Sequence, residues 1–266
     1  MSAESVLAGE SAWCVVHSKW QTFLPTLPGR SIDVVLCDPP YSEHVHTRSR
    51  QGASLPDTAE FKCRFNRKHE FGFDHISQEE MEAVSDQFAR LTKRWVLVFS
   101  DVESSHLWAR SLRSAGLEPI RVGAWVKIGG TPQFTGDRPA VGFEAVTIAH
   151  RKGKKRWNGG GHAAVWTHPV EANRLGNRGA RVHPAQKPLS LMLELVRLFS
   201  DEGEVVLDPY AGAATTGAAC LRSGRRFIGC EMQEEHHKTC VERLEAESGL
   251  STLAASRAGQ IGMFST

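Results

Sequence analysis

The chain alternates between short apolar runs of strand length and longer stretches in which apolar residues recur every three or four positions. Residues 12–36 predict a short strand, a turn at 25–29, and a second strand, Ile32-Asp33-Val34-Val35-Leu36-Cys37. Residues 42–76 are polar and basic, without sustained periodicity. A segment of that length inside a compact domain is often functional, here a lid. Ser77-Gln78-Glu79-Glu80 predicts a helix start with a capping box, and Met81, Val84, Phe88 and Leu91 then follow at helical spacing. Trp95-Val96-Leu97-Val98-Phe99 predicts a buried strand. A helix through Leu107 and Leu112, to Gly116, comes next, and then strands at 119–127 and 143–149, joined by a link rich in turn residues.

Residues 151–182 break this rhythm with three consecutive glycines, Trp157, Trp166 and several arginines. The rhythm then resumes: a helix from Lys187 with Leu191, Leu195 and Leu198 on one face, a strand at Val205, a helix from Thr215 to Leu221, a strand at Phe227 and a helix over 233–246. The tail after Ser248 is small, polar and expected to fray. Strands alternating with helices predict an α/β fold, its mostly parallel sheet covered on both faces. The tryptophans at 13, 20, 95, 108 and 125 are expected in the core, and His236-His237 on a solvated helix face.

Composition narrows the class without changing this picture. A hydrophobic fraction of 41% and a charged fraction of 23% over 266 residues are those of a globular protein of ordinary enzyme size. No apolar stretch approaches bilayer-spanning length, and the N-terminus lacks the pattern of a signal peptide. The six cysteines form no C-x-x-C pair, so reduced thiols in a cytoplasmic protein are expected. A net charge of +2 does not announce a nucleic-acid binder, but its distribution is uneven. Basic residues gather at Arg48, Arg50, Arg64, Arg67 and Lys68, and again at Lys152, Lys154, Lys155 and Arg156. Both groups flank the segments of interest below and are candidates for phosphate contact. His44-Val45-His46 lacks a third ligand at fixed spacing, and no metal site is assigned.

Candidate chemistry begins at Asp38-Pro39-Pro40-Tyr41, which closes the second strand. Two consecutive prolines fix φ twice and remove two donors. A carboxylate, carbonyls with few internal partners and an aromatic ring then stand on a rigid corner, which suits a planar group with an exocyclic amine, such as a nucleobase. A second segment, Asp208-Pro209-Tyr210-Ala211-Gly212-Ala213-Ala214-Thr215, runs from a strand into a small-residue turn and a helix start. Such a turn lets a ligand approach the backbone. Glu231, 23 positions past Asp208 and at the end of the next strand, is placed to accept hydrogen bonds from ribose hydroxyls.

Together with His183-Pro184-Ala185-Gln186-Lys187-Pro188, these segments resemble in order the β-type amino-methyltransferases that modify DNA bases using S-adenosylmethionine. The resemblance covers roughly residues 12–246. It implies a Rossmann-like class I methyltransferase sheet with one antiparallel hairpin strand. A catalytic half would span 12–150, a target-recognition segment 151–182 and a cofactor half 183–247, with a tail at 248–266. It implies that Asp38 and the Pro39 carbonyl hold the amine on the corner that Pro40 stiffens, while Tyr41 stacks on the flipped base. Around S-adenosylmethionine it places Cys37, Asp38, His183, Gln186, Lys187, Asp208, Pro209, Tyr210, Ala211, Gly212, Thr215, Glu231 and Met232, with Lys187 near the cofactor carboxylate.

Two features depart from the family pattern. Ala214 replaces the last glycine of the turn, and the acidic residue usual after the first strand is absent from Val15-Val16-His17-Ser18-Lys19-Trp20. An aspartate at position 38 favours adenine N6 as the target, with cytosine N4 as the alternative. An RNA or protein-glutamine methyltransferase, or a non-catalytic DNA-binding module, is more remote. The expected partners are double-stranded DNA and a second copy of the chain. The sequence leaves open whether a restriction endonuclease accompanies it.

Overall fold

The computed structural model describes residues 1–41, 76–130, 137–170 and 186–263, with side chains through residue 249. Eight strands form one sheet: β1 (Trp13–His17), β2 (Ile32–Cys37), β3 (Thr92–Ser100), β4 (Glu118–Ile128), β5 (Phe143–His150), β6 (Val165–Pro169), β7 (Val205–Asp208) and β8 (Arg226–Glu231). Their order is β1-β8-β7-β2-β3-β5-β4-β6. β5 runs antiparallel to both neighbours, and every other pair is parallel. The mostly parallel sheet is as the alternation of elements predicts, and its antiparallel strand is as the family resemblance implies. Besides the one-turn helix Trp20–Phe23, two further elements had no periodic signal. One is the six-residue helix α1 (Ala3–Ala8), held by a Ser2/Ser5 capping box. The other is β6, five residues long and buried mainly through Trp166.

β2 shows why the sheet sits at the centre. All six of its residues are buried, and its side chains alternate between two cores. Val35 and Cys37 enter one, with Phe88, Val96, Trp108 and Ile228. Val34 and Leu36 enter the other, with Leu97, Phe99, Leu195, Val206 and Phe227. Asp33 interrupts the apolar run and is satisfied locally. Its carboxylate accepts from the Val205 amide at 2.9 Å and pairs with Lys93 at 2.9 Å, fixing where β7 docks.

Helices cover both faces. α2 (Trp20–Phe23) follows β1. The predicted box starts α3 (Gln78–Leu91): Ser77 Oγ accepts from Glu80 N at 3.2 Å, and Glu80 returns the bond to Ser77 N at 3.1 Å. α3 and α4 (Ser105–Ser114) pack on the first core. On the second core lies α5 (Leu189–Phe199), burying Leu191, Met192, Leu195, Val196 and Phe199, each such side chain contributing roughly 1.5–3 kcal/mol. α6 (Thr215–Arg222) and α7 (Glu234–Met263) complete that side. α7 carries helix through the stretch expected to fray. Among the described residues no helix is long and apolar enough to cross a membrane.

Because β5 is antiparallel, its first residues reach the same rim as the carboxyl ends of β2, β3, β4, β7 and β8. On that rim the chain leaves β2 toward β3 on one side, while β7 and β8 lie on the other. In open α/β sheets the crevice at such a switch point is where ligands bind.

Candidate active site

Asp38 sits where β2 meets this crevice, and Pro39-Pro40 prevents the strand from continuing. Its Oδ2 accepts from Lys187 Nζ at 2.5 Å. Its Oδ1 is buried and, among the described residues, has no hydrogen-bond partner. Lys187 is 7% exposed, and its ammonium also reaches Tyr41 Oη at 3.1 Å and Glu144 Oε2 at 3.1 Å. Tyr41 donates its hydroxyl to Glu144 Oε2 at 2.5 Å, and Lys127 pairs with Glu144 Oε1 at 2.7 Å. The rings of Phe99, Tyr41 and Trp125 surround the Lys187 ammonium at 5.2, 5.3 and 6.0 Å from their centroids, within cation–π range.

With Asp38 ionised, two carboxylates balance two ammoniums. Burial would raise the Glu144 carboxyl, but the neighbouring Lys187 and Lys127 charges outweigh it and hold the group at about 2. Burial would lower Lys187, yet Asp38 and Glu144 raise it, so it stays an ammonium. Tyr41 is pushed well above its ordinary value by burial and by the two carboxylates, and is a hydroxyl donor. Asp38 is raised, by burial first and by Glu144 next, with Lys187 opposing both.

Across the crevice stand the ends of β7 and β8. Asp208 is buried; its Oδ1 accepts from Tyr210 N at 3.1 Å and its Oδ2 from Thr216 Oγ1 at 2.6 Å. Burial raises its carboxyl to about 7. Glu231 Oε2 accepts from Gly212 N at 3.0 Å and Oε1 from Gln233 N at 2.9 Å. Each oxygen keeps a lone pair for a further donor. Between them the turn reverses through two left-handed residues, Gly212 at φ +54° and Ala214 at φ +52°. Position 214 thus has the conformation that favours glycine, and alanine bears it. Thr215 Oγ1 and the Ala213 carbonyl are bonded by Arg243 at 3.1 and 2.9 Å. Tyr210 Oη and Gln186 Oε1 are buried without a partner among the described residues. Pro209 and Ala211 are buried in the turn, and Met232 lies exposed just past Glu231.

The structure therefore gathers Asp38, Tyr41, Gln186, Lys187, Asp208, Tyr210, Gly212 and Glu231 on one rim. It departs from the sequence reading in several places. Cys37 lies at the rim by its backbone only: its thiol is in the core, and burial raises it well above the ordinary value. Lys187 faces Asp38 and Glu144. His237 is half-buried and not freely solvated: it stacks on His17 with centroids 5.4 Å apart and hydrogen-bonds the Val15 carbonyl at 3.2 Å. At the position of the missing acid, Ser18 N donates to the Glu231 carbonyl at 3.0 Å and extends the pairing of β1 with β8.

The second basic run is the largest displacement. β5 ends at His150, which pairs with Trp95 and Glu118 at the starts of β3 and β4. Lys152, Lys154, Lys155 and Arg156 thus follow the opposite edge of the sheet, five β5 residues or roughly 17 Å from the rim. There Lys155 pairs with Glu118 at 2.8 Å and Arg156 with Asp201 at 3.0 Å. They do not flank Asp38, because the antiparallel strand carries the chain away from it. His183, Arg48, Arg50, Arg64, Arg67 and Lys68 lie outside the described residues, as do His44, His46 and the predicted lid apart from Ile76. Glu144, Lys127 and Phe99 were not singled out from sequence. A carboxylate inside the apolar run Phe143–Ala149 was the available signal for Glu144.

Comparisons with known proteins agree with this arrangement. A family model of the N6/N4 type, described as DNA methylase, matches residues 32–242. The DNA adenine methyltransferase YhdJ of Escherichia coli K12 is 28% identical over 260 residues, covering 91% of this chain and 86% of its own. The type II methyltransferase M2.DpnII of Streptococcus pneumoniae is 26% identical over 252 residues, covering 88% and 90%. Among solved structures, the M1.HpyAVI–SAM complex superposes with a TM-score of 0.62 at 22% identity, covering 87% of this chain and 98% of that one. The cytosine-N4-specific PvuII DNA methyltransferase gives 0.64 at 17% identity, covering 88% and 86%. At these identities the two structures establish the shared fold.

Proposed function

This chain belongs to the N6/N4 family of DNA methylases, and from that membership we propose that it transfers a methyl group from S-adenosylmethionine to the N6 amine of adenine in double-stranded DNA. The observation that carries the reading is the unpartnered, buried Asp38 Oδ1 at the crevice. A buried acceptor without a donor is costly, and a base amine supplies one. The relative named a DNA adenine methyltransferase, together with the aspartate at 38, favours adenine over cytosine N4.

A base amine is a weak nucleophile because its lone pair is delocalised into the ring. With one N–H on Asp38 Oδ1 and the other on the Pro39 carbonyl, the nitrogen is drawn toward a pyramidal shape and its lone pair is aimed across the crevice. This is catalysis by orientation and electrostatics. Tyr41 stacks on the flipped base, which contributes about 1–3 kcal/mol. When bound, S-adenosylmethionine would supply an electrophilic methyl group on sulfur to the amine held by Asp38 and the Pro39 carbonyl. Glu231, with free lone pairs beside the Gly212 turn, fits the ribose hydroxyls. Tyr210 Oη and Gln186 Oε1 are buried without partners among the described residues, and each could bond a polar ligand.

For the phosphate contacts the sequence offers Arg48, Arg50, Arg64, Arg67 and Lys68, which lie outside the described residues. A second copy of the chain fits the outer sheet face, where Val122, Ile128, Phe143 and Val165 are exposed. Sedimentation at micromolar concentration should give a dimer, and a monomer removes that part. Buried free thiols at all five described cysteines suit the cytoplasm.

The test is modification-sensitive sequencing of DNA from cells expressing the chain. N6-methyladenine at one sequence context is expected. N4-methylcytosine would reassign the base, and no modification would end the reading. Asp38→Ala should lower transfer by at least about 100-fold, with cofactor affinity in calorimetry unchanged.

A further inference from the structure

We infer that Lys187 and Glu144 are positioning residues of the transfer reaction: Glu144 anchors Tyr41 and Lys187, and Lys187 holds one oxygen of Asp38 so that the other faces the base. The inference rests on the proposed methyl transfer and adds two residues to it.

Three observations carry it. The first is the pattern of satisfied atoms. Glu144 takes Lys127 on Oε1, and both Tyr41 and Lys187 on Oε2. Lys187 spends its donors on Asp38, Tyr41 and Glu144. In this cluster of five side chains the only buried side-chain N or O atom without a partner, among the described residues, is Asp38 Oδ1. An ion cluster serving stability alone would leave no oxygen open, and buried ion pairs are a poor source of stability in any case.

The second is geometry. A carboxylate is planar, so fixing Oδ2 on Lys187 fixes the direction of Oδ1. Rotating the group to lower the cost of the open oxygen would break the 2.5 Å contact. Lys187 is itself constrained: Pro188 follows it, is extended at the N-cap of α5, and disfavours a helical conformation at 187. The third is the enclosure. Phe99, Tyr41 and Trp125 close around the ammonium, limiting where it can swing. The result is an acceptor aimed before the base arrives, the preorganisation on which electrostatic catalysis depends.

The test uses full-length protein carrying Lys187→Gln or Glu144→Gln, with three readouts. In cofactor-free protein, the carboxyl carbon-13 titration of Asp38 should move to higher pH in K187Q, because the cation favouring its ionised form is gone. The dissociation constant for S-adenosylmethionine should stay within about threefold, while single-turnover transfer at saturating substrates falls by about 100-fold or more in K187Q. E144Q should fall by a smaller factor, with a raised KM for DNA as Tyr41 loses its anchor. An unmoved Asp38 titration would overturn the inference. So would a K187Q protein that loses cofactor affinity yet transfers normally at saturation, since Lys187 would then be a cofactor ligand. If K187Q does not fold, the paired change K187M with E144M removes one cation and one anion and keeps the balance. That protein should fold and remain inactive, and retained transfer would refute the role. Wild-type protein that methylates no DNA would defeat the proposed function, while the Asp38 titration would still decide whether Lys187 positions it.

Discussion

At the scale of single residues, Ala214 poses a quantitative question. Its left-handed backbone costs an L-residue about 1–2 kcal/mol. Glycine would remove that strain. It would also lose a buried methyl, about 0.8 kcal/mol, and add unfolded-state freedom worth roughly 0.5–1 kcal/mol. The terms offset, so Ala214→Gly should change stability in urea unfolding by less than about 1 kcal/mol. A loss of several would mean that the methyl packs more tightly than its burial implies. The sequence marked this position as one where a Cβ limits φ, and the structure shows that the chain accepts the limit and does not avoid it.

Elements meet at Gly217, on the face of α6 that lies against β8 and α7. A Cβ there would stand 2.7 Å from Phe227 Cδ1 and 2.8 Å from Leu244 Cδ2. Gly217→Val should therefore force α6 off the sheet and destabilise by about 1–3 kcal/mol, read as a lower midpoint in denaturant. Because α6 carries the turn at 211–214, weaker cofactor binding should accompany the loss. Unchanged stability would mean that Phe227 and Leu244 yield easily. Helix α3 was legible to its cap because its signals are local. β6 was not: a five-residue strand with a single deeply buried side chain, Trp166, has no period to read and is recruited by its neighbour β4.

For the whole molecule, the buried charges set the pH response. Asp208 titrates at about 7 in the fold against an ordinary 3.8. Its contribution is complete below the unfolded value and is lost as pH rises through about 7. Each step of one pH inside that window removes about 1.4 kcal/mol, so the loss between pH 5 and 8 amounts to a few kcal/mol. Asp208→Asn should flatten that decline, as measured by urea midpoints at the two pH values, and an identical decline would show that Asp208 is better solvated than its burial implies. Glu144 acts in the opposite sense and outside this window: its contribution holds above pH 4.5 and is lost as pH falls toward about 2. The two edges of the sheet also separate function. Lys152, Lys154 and Lys155 follow the edge away from Asp38, so replacing all three by Gln should leave the salt dependence of DNA binding nearly unchanged. A slope reduced by two or more would return them to the interface.

The alternation of apolar runs and helical periods determined the layered α/β fold. Asp38-Pro39-Pro40-Tyr41, the turn after Asp208, and Glu231 determined the chemistry, because proline corners and small-residue turns work through their own backbones. Whatever depends on strand direction was left to the tertiary structure. β5 runs against its neighbours, so its first residue pair brings Glu144 to the catalytic rim and its last carries the basic run to the far edge. No local pattern encodes that reversal. It follows from which strands pair, and long-range packing of the same kind brings Lys187 to Asp38, 149 positions away in the chain.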